Sequence, residues 1–220
     1  MDKYLLIALI IVLGFALYKL ITLYHKYKNI SDNENLTGYD VARKILDKNK
    51  LEDLYIVETK GIFNDHFDYK QKVVRLSSCV YHDTSIYSYV MASFIATQAV
   101  LQKENNQSYM VKKMIEPIYK ILLVFSYLLM IVGLLLGING LLLGTVFLTI
   151  CLLYHIFFLN FNIAIKNSLE EELMKLKVVK KSNEEELKAC LEIINYYDIA
   201  ELILYIKVVI DFIVDKLKKI

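Results

Sequence analysis

Apolar and polar positions divide this chain into long blocks. Leu5 to Ala16 is apolar throughout, and the stretch continues through Tyr18, Leu20 and Ile21 with only Lys19 interrupting it. About 20 helical residues cross a bilayer, so residues 1–24 are expected to form a transmembrane anchor. A signal peptide is the rival reading. Its basic leader would be a single Lys offset by Asp2, and no small-x-small cleavage site follows. Between Lys120 and Lys166 there is no Asp, Glu, Lys or Arg at all. A straight helix of that length would exceed the bilayer thickness about twofold, so the segment must fold back. The turn falls at Asn139-Gly140, between Gly133-Leu-Leu-Leu-Gly137 and Gly140-Leu-Leu-Leu-Gly144. Small-xxx-small spacing lets helices approach closely in lipid, or the glycines simply ease the turn. Residues 117–160 therefore form a transmembrane hairpin, with spans at Ile118–Leu136 and Leu141–Leu159. Pro117 fits the first turn of the earlier span.

Other blocks carry mixed patterns. Thr37 and Asp40 can cap a helix whose Val41, Ile45 and Leu46 share one face. Leu54–Glu58 and Lys72–Leu76 alternate like strands, joined by turns at Thr59-Lys60-Gly61 and Asp68-Tyr69-Lys70-Gln71. Asp83, Thr84 and Ser85 open a helix to about Lys103, with small residues Ala92, Ala96 and Ala99 along it. Residues 25–116 thus read as a small mixed domain and 161–187 as a polar segment. Ser182 and Glu185 have capping-box spacing ahead of a last helix, 188–220. Lys207, Asp211 and Asp215 recur every four residues there. The helix lies amphipathically at the membrane surface, or spans with its charges facing other helices.

Composition agrees with this partition. The chain has 220 residues, 56% hydrophobic, with one Pro and no Trp; mean hydropathy is +0.41. That is a membrane-protein profile. Lysines cluster after the first span (Lys26, Lys28), before the second (Lys112, Lys113, Lys120) and after the third (Lys166, Lys175, Lys177, Lys180, Lys181). The positive-inside rule places all three clusters in the cytoplasm, with the N-terminus and hairpin tip outside. A net charge of +2 argues against nucleic-acid binding, and Cys79, Cys151 and Cys190 form no disulfide framework or paired-thiolate zinc motif. Only His25, His66, His82 and His155 are present, no two within one helical turn. A mechanism needing two imidazoles on adjacent turns is excluded.

Three ordered motifs then carry a resemblance: Leu36-Thr-Gly-Tyr-Asp-Val-Ala-Arg-Lys-Ile-Leu46, Asn64-Asp-His-Phe-Asp68, and Val74-Arg-Leu-Ser77 with Val80-Tyr81. From about Tyr24 to Leu169 the chain resembles the bacterial YugP-type membrane zinc metallopeptidases. That resemblance implies an N-terminal anchor, a zincin-like domain at 25–116 and a membrane hairpin. The fold class expected is a mainly helical α+β membrane protein of the bacterial cytoplasmic membrane, its main soluble segment facing the cytoplasm. In the family, the helix after V-R-L-S carries H-E-x-x-H, two zinc-binding imidazoles and a water-activating Glu. The matching stretch here is Phe94-Ile95-Ala96-Thr97-Gln98. The family's third ligand, a Glu beyond the hairpin, corresponds to Asn162. Neither Phe94 nor Ile95 has a donor atom, and Gln98 and Asn162 offer neutral amides. No catalytic residues and no cofactor are therefore expected, although the family carries zinc.

Other chemistry is thin. His66, Asp68 and His82, with Asp65 and Asp83 nearby, could supply ligands to a different metal, but Asp65 and Asp68 read more simply as turn residues bonding their own backbone. His155 is either a functional intramembrane residue or a hydrogen-bonding one within the hairpin. Cys151 reads as packing. The leading expectation is a non-catalytic relative that binds the bilayer and a protein, such as an active family member or an uncut substrate. The alternatives are a zinc metallopeptidase using other ligands and a structural protein acting through its hairpin.

Overall fold

A computed structural model describes residues 2–31, 36–136 and 139–217, with side chains placed only between residues 4 and 206. Gly137 and the side chains of Lys207, Asp211, Asp215, Lys216, Lys218 and Lys219 lie outside that set. The chain is mainly helical, with a three-stranded sheet. In order the elements are α1 (Asp2–Tyr27), α2 (Gly38–Lys48), β1 (Tyr55–Thr59), β2 (His66–Asp68), β3 (Val73–Ser77), α3 (Ser78–Tyr81), α4 (Ile86–Lys103), α5 (Gln107–Leu136), α6 (Gly140–Phe157), α7 (Leu159–Lys175), a short 3-10 turn at Lys181–Asn183, α8 (Glu184–Leu191) and α9 (Ile193–Leu217). They group into two compact units.

One unit comprises residues 1–20, 112–160 and 195–220. Among the described residues three segments are long and apolar enough to cross a membrane, Tyr4–Tyr27, Gln107–Leu136 and Gly140–Lys175. Its core joins Leu9 and Leu13 of α1, Tyr119, Leu123 and Tyr127 of α5, Leu148 and Cys151 of α6, and Leu202 of α9. The outward side chains, such as Ile10, Phe15, Ile121 and Leu153, are exposed and apolar, as lipid-facing residues are. Helices α5 and α6 approach closely because their facing positions lack side chains. A Cβ on Gly133 would collide with the Leu141 backbone nitrogen, and one on Gly144 would sit 2.7 Å from the Ser126 carbonyl oxygen.

Two boundaries depart from expectation. Helix α5 begins at Gln107, so Pro117 lies inside it rather than at its first turn. Proline removes one backbone hydrogen bond there. The helix continues because Tyr109, Tyr119 and Leu123 on either side are buried by packing, and Glu116, which also binds Lys113 (2.8 Å), reaches Lys120 (2.6 Å) across the proline. The last helical region is two helices rather than one. Ser182 sits in the 3-10 turn, Asn183 precedes α8 without a side-chain cap, and the chain breaks at Glu192 before α9.

The second unit comprises residues 21–111 and 161–194. Helix α2 starts with the expected capping box: Thr37 N–H donates to Asp40 Oδ2 (2.8 Å) and Asp40 N–H to Thr37 Oγ1 (3.3 Å). Its buried Val41, Ala42, Ile45 and Leu46 pack on α4. The sheet order is β1-β3-β2, with β1 parallel and β2 antiparallel to β3. Each expected strand starts one residue late. Arg43 donates to the Leu54 carbonyl (2.8 Å) and so holds it outside the ladder, while Ser77 completes the pairing with Thr59. Strand β2 replaces part of an expected loop. Its three residues are too few for alternation to reveal, and pairing with β3 makes it a strand.

Candidate functional site

Helix α4 opens with Ser85 as N-cap, whose Oγ accepts from Ser88 N–H (3.2 Å). Every residue from Ile86 to Ala96 is buried, since α4 packs against α2, α3, α8 and the sheet. Polar side chains inside this stretch turn back on the backbone: Ser93 Oγ donates to the Tyr89 carbonyl (2.6 Å) and Ser88 Oγ to that of Asp83 (2.8 Å). Phe94 and Ile95 are 2% and 1% exposed and belong to the core. Gln98 is half-buried. Thr97 Oγ1 is buried without a hydrogen-bond partner among the described residues. Asn162 lies on α7 and is buried.

Strand β3, which leads into α3 and α4, is anchored by a polar contact that residue patterns do not reveal. Asp65 is buried, and its carboxylate accepts from Ser77 N–H (2.6 Å) and Ser77 Oγ (2.9 Å). Asp65 thus bonds its own backbone, as expected of a turn residue, and also anchors Ser77 across the sheet. Asp68 does behave as a turn residue, accepting from Lys70 N–H (3.1 Å) and Gln71 N–H (3.0 Å). Asp65 immediately precedes β2 and Ser77 ends β3, so only the pairing of the two strands brings them together. Burial outweighs the Ser77 hydrogen bonds and pushes the Asp65 carboxyl up to about 6. Cys79 Sγ lies 3.2 Å from Ser77 Oγ, and burial raises its thiol as well, which disfavours a reactive thiolate.

The Asp65 carboxyl yields a pH prediction. The folded chain holds this proton up to about pH 6, whereas an unfolded Asp releases it near 3.8. The native state thus binds more protons in that window, and stability falls as pH rises from about 4 to about 6. Asp65→Asn keeps an acceptor for Ser77 N–H without titrating. Thermal unfolding of both proteins across this range should show the wild type losing stability relative to the variant. Parallel pH profiles would refute the assignment.

The alternative metal set is not brought together. His66 Nδ1 lies 3.1 Å from the Asn64 carbonyl oxygen, on β2. His82 is exposed and pairs with Glu58 of β1 (3.2 Å). Strands β1 and β2 are opposite edges of the sheet, about 10 Å apart at the usual strand spacing. Among the described residues no three His, Cys, Asp or Glu side chains are placed to hold a metal.

Comparison with known proteins assigns the scaffold. A family model described as "Putative neutral zinc metallopeptidase" matches residues 3–214. The chain belongs to this family. A curated relative, "Putative membrane protease YugP" of Bacillus subtilis (strain 168), is 32% identical over 104 residues, covering 47% of this chain and 46% of the relative. The match thus spans about half the length of that relative. No solved structure matches.

Membership corrects one expectation. Zinc is the cofactor that a zinc metallopeptidase family implies, so the expectation of no cofactor does not stand. The residues at the family positions do not fit that ion. Phe94 and Ile95 are apolar and packed in the core, and the amides of Gln98 and Asn162 are poor zinc donors. No catalytic step through zinc follows from these four side chains.

Proposed function

We propose that this protein is a catalytically inactive membrane member of the zinc metallopeptidase family that acts by binding another protein. Its occupant would be an active family member, or a membrane substrate held without cleavage. One observation carries the reading: the helix that should present metal ligands and a base instead buries Phe94 and Ile95 in its core. A zincin-like arrangement of 25–116 and its exposure to the cytoplasm complete the proposal, the latter supported by the three lysine clusters. Family membership favours a second reading, an active peptidase whose zinc is held by residues other than 94, 95, 98 and 162.

Proteolysis separates the two. Full-length protein in liposomes, supplied with zinc and unfolded membrane-protein substrates, should cleave no faster than empty liposomes. Cleavage abolished by a chelator and restored by zinc would establish the peptidase instead. Crosslinking in the native membrane should join the inactive protein to an active relative or to an intact substrate.

A further inference from the structure

The unit of residues 21–111 and 161–194 leaves one edge of its sheet open. The order β1-β3-β2 makes β1 and β2 the two edges. Strand β2 is closed off by its own turn: it has three residues, and Asp68 at its end accepts from Lys70 N–H and Gln71 N–H. Strand β1 runs for five residues, Tyr55-Ile-Val-Glu-Thr59, and pairs only with β3 among the described residues. The N–H and C=O groups that alternate along its outer side have no strand to meet. Proteins usually blunt such an edge with a lysine, a proline or a bulge. None lies within β1.

Side chains along β1 alternate between two faces. Ile56 and Glu58 lie on the face of the buried Val74 and Leu76, their partners in β3. Tyr55, Val57 and Thr59 share the opposite face, where Tyr55 is 75% exposed. Just outside the strand stand Glu52 and Asp53 at one end and Lys60 at the other, all exposed. Arg43, Lys48 and Arg75 of the same unit form ion pairs, whereas these three charges have none among the described residues.

Such an edge is complementary to itself. A second copy turned by 180° about an axis beside Val57, perpendicular to the sheet, runs antiparallel with all five residues matched. Val57 meets Val57, Tyr55 meets Thr59, and Ile56 meets Glu58. The open face thereby gains valine–valine and aromatic–β-branched pairs, the cross-strand pairs that stabilise sheets, and no like charges stand opposite one another. The Lys60 end of each copy meets the Glu52-Asp53 end of the other, so the unmatched charges find opposite partners.

We propose that the outer edge of β1 is the docking surface for a second copy of this chain, joining two three-stranded sheets into one. Two-fold pairing of one surface with itself is the commonest way that identical chains associate. This surface uses none of residues 94, 95, 98 and 162, so it stands whether or not the chain cleaves peptides.

Full-length protein in detergent micelles tests this. Light scattering should give a protein mass twice that of one chain. Val57→Cys should form a disulfide-linked dimer under mild oxidation, because directly opposite residues of antiparallel strands stand about 4.5–5.5 Å apart at Cα, within disulfide reach. The wild type, with Cys79, Cys151 and Cys190, should not. Lys60→Glu should weaken self-association about tenfold or more, and so should Glu52→Lys combined with Asp53→Lys, since like charges then meet at both ends. Mixed one to one, these two variants set opposite charges at both ends again. Pull-down between differently tagged copies should then match the wild type. A sheet that had misfolded does not recover on mixing. A monomeric wild type, no crosslink at Val57, charge variants that still self-associate, or a mixture that fails to pair would each overturn the proposal. So would a Val57→Cys crosslink in the native membrane to a different protein alone.

Discussion

Ile95→Glu, which places a carboxylate where the motif order expects the family's base, is expected to unfold the unit that holds α2, α4 and the sheet. Ile95 is 1% exposed on a helix packed against α2, α3, α8 and the sheet. An ionised carboxylate there would enter the buried core, and an unpaired buried charge destabilises by about 3–5 kcal/mol. That is a large part of the 5–15 kcal/mol by which domains are typically stable. Two neighbouring changes calibrate the result. Gln98→His, at a half-buried position, should shift stability by less than about 1 kcal/mol, as substitutions away from the core do. Thr97→Ala removes a buried hydroxyl without a hydrogen-bond partner among the described residues, so it should be neutral or mildly stabilising. Urea unfolding followed by circular dichroism, on full-length protein in micelles, reads all three. An Ile95→Glu protein as stable as the wild type would mean that position 95 faces an open site. The inactive reading would then lose its main support.

The second large effect lies in the membrane hairpin. Replacing Gly133 and Gly144 together by Leu should separate α5 from α6 and destabilise the chain by about 3 kcal/mol or more, the upper range for overpacking. The strain cannot be relieved by rotamers, because the added Cβ at Gly133 meets the Leu141 backbone and that at Gly144 meets the Ser126 carbonyl oxygen. Gly14→Ala is the control. A Cβ there has nothing within 4 Å, and Ala in a helix is favoured over Gly by about 0.5–1 kcal/mol. Detergent-driven unfolding of the three proteins gives the comparison. If the double variant matches the wild type, the glycines serve only the turn at Asn139-Gly140.

These two regions differ in how far residue patterns reveal them. The hairpin was legible because an uncharged stretch too long for one span has to turn, and Asn139-Gly140 marks where. The capping box at Thr37 and Asp40 was legible for the same local reason. Strand β2 was not: three residues carry no usable period. Pro117 misled because proline is a local signal of helix starts, while burial of Tyr109, Tyr119 and Leu123 on both sides keeps α5 continuous. Asp65 was legible only in part: its bond to its own backbone is local, but its partner Ser77 is twelve residues away.

The candidate site divides along the same line. Four side chains expected to stand at the family's ligand and base positions can be named from the motif order, because donor atoms are a property of residue type. Zinc as the family's cofactor came from membership, not from those side chains. How closed the site is came only from packing: exposure separates Ile95, locked in the core, from Gln98, which is half-open. The buried contacts among the long helices depend most on the fold, since Lys112 pairs with Asp198 across α5 and α9 and His155 with Tyr119 across α6 and α5.

Residue order alone marked the segments apolar enough to cross a membrane, where the uncharged stretch folds back, and four positions without imidazole or carboxylate where the motif order expects the family's ligands and base. Those are consequences of hydropathy, turn chemistry and atom type, all local. Tertiary structure decided that Asp65 anchors a strand, that Phe94 and Ile95 face a core, and that a lysine and an aspartate pair between helices. Each depends on contacts between distant residues, where burial and pairing outweigh local preference.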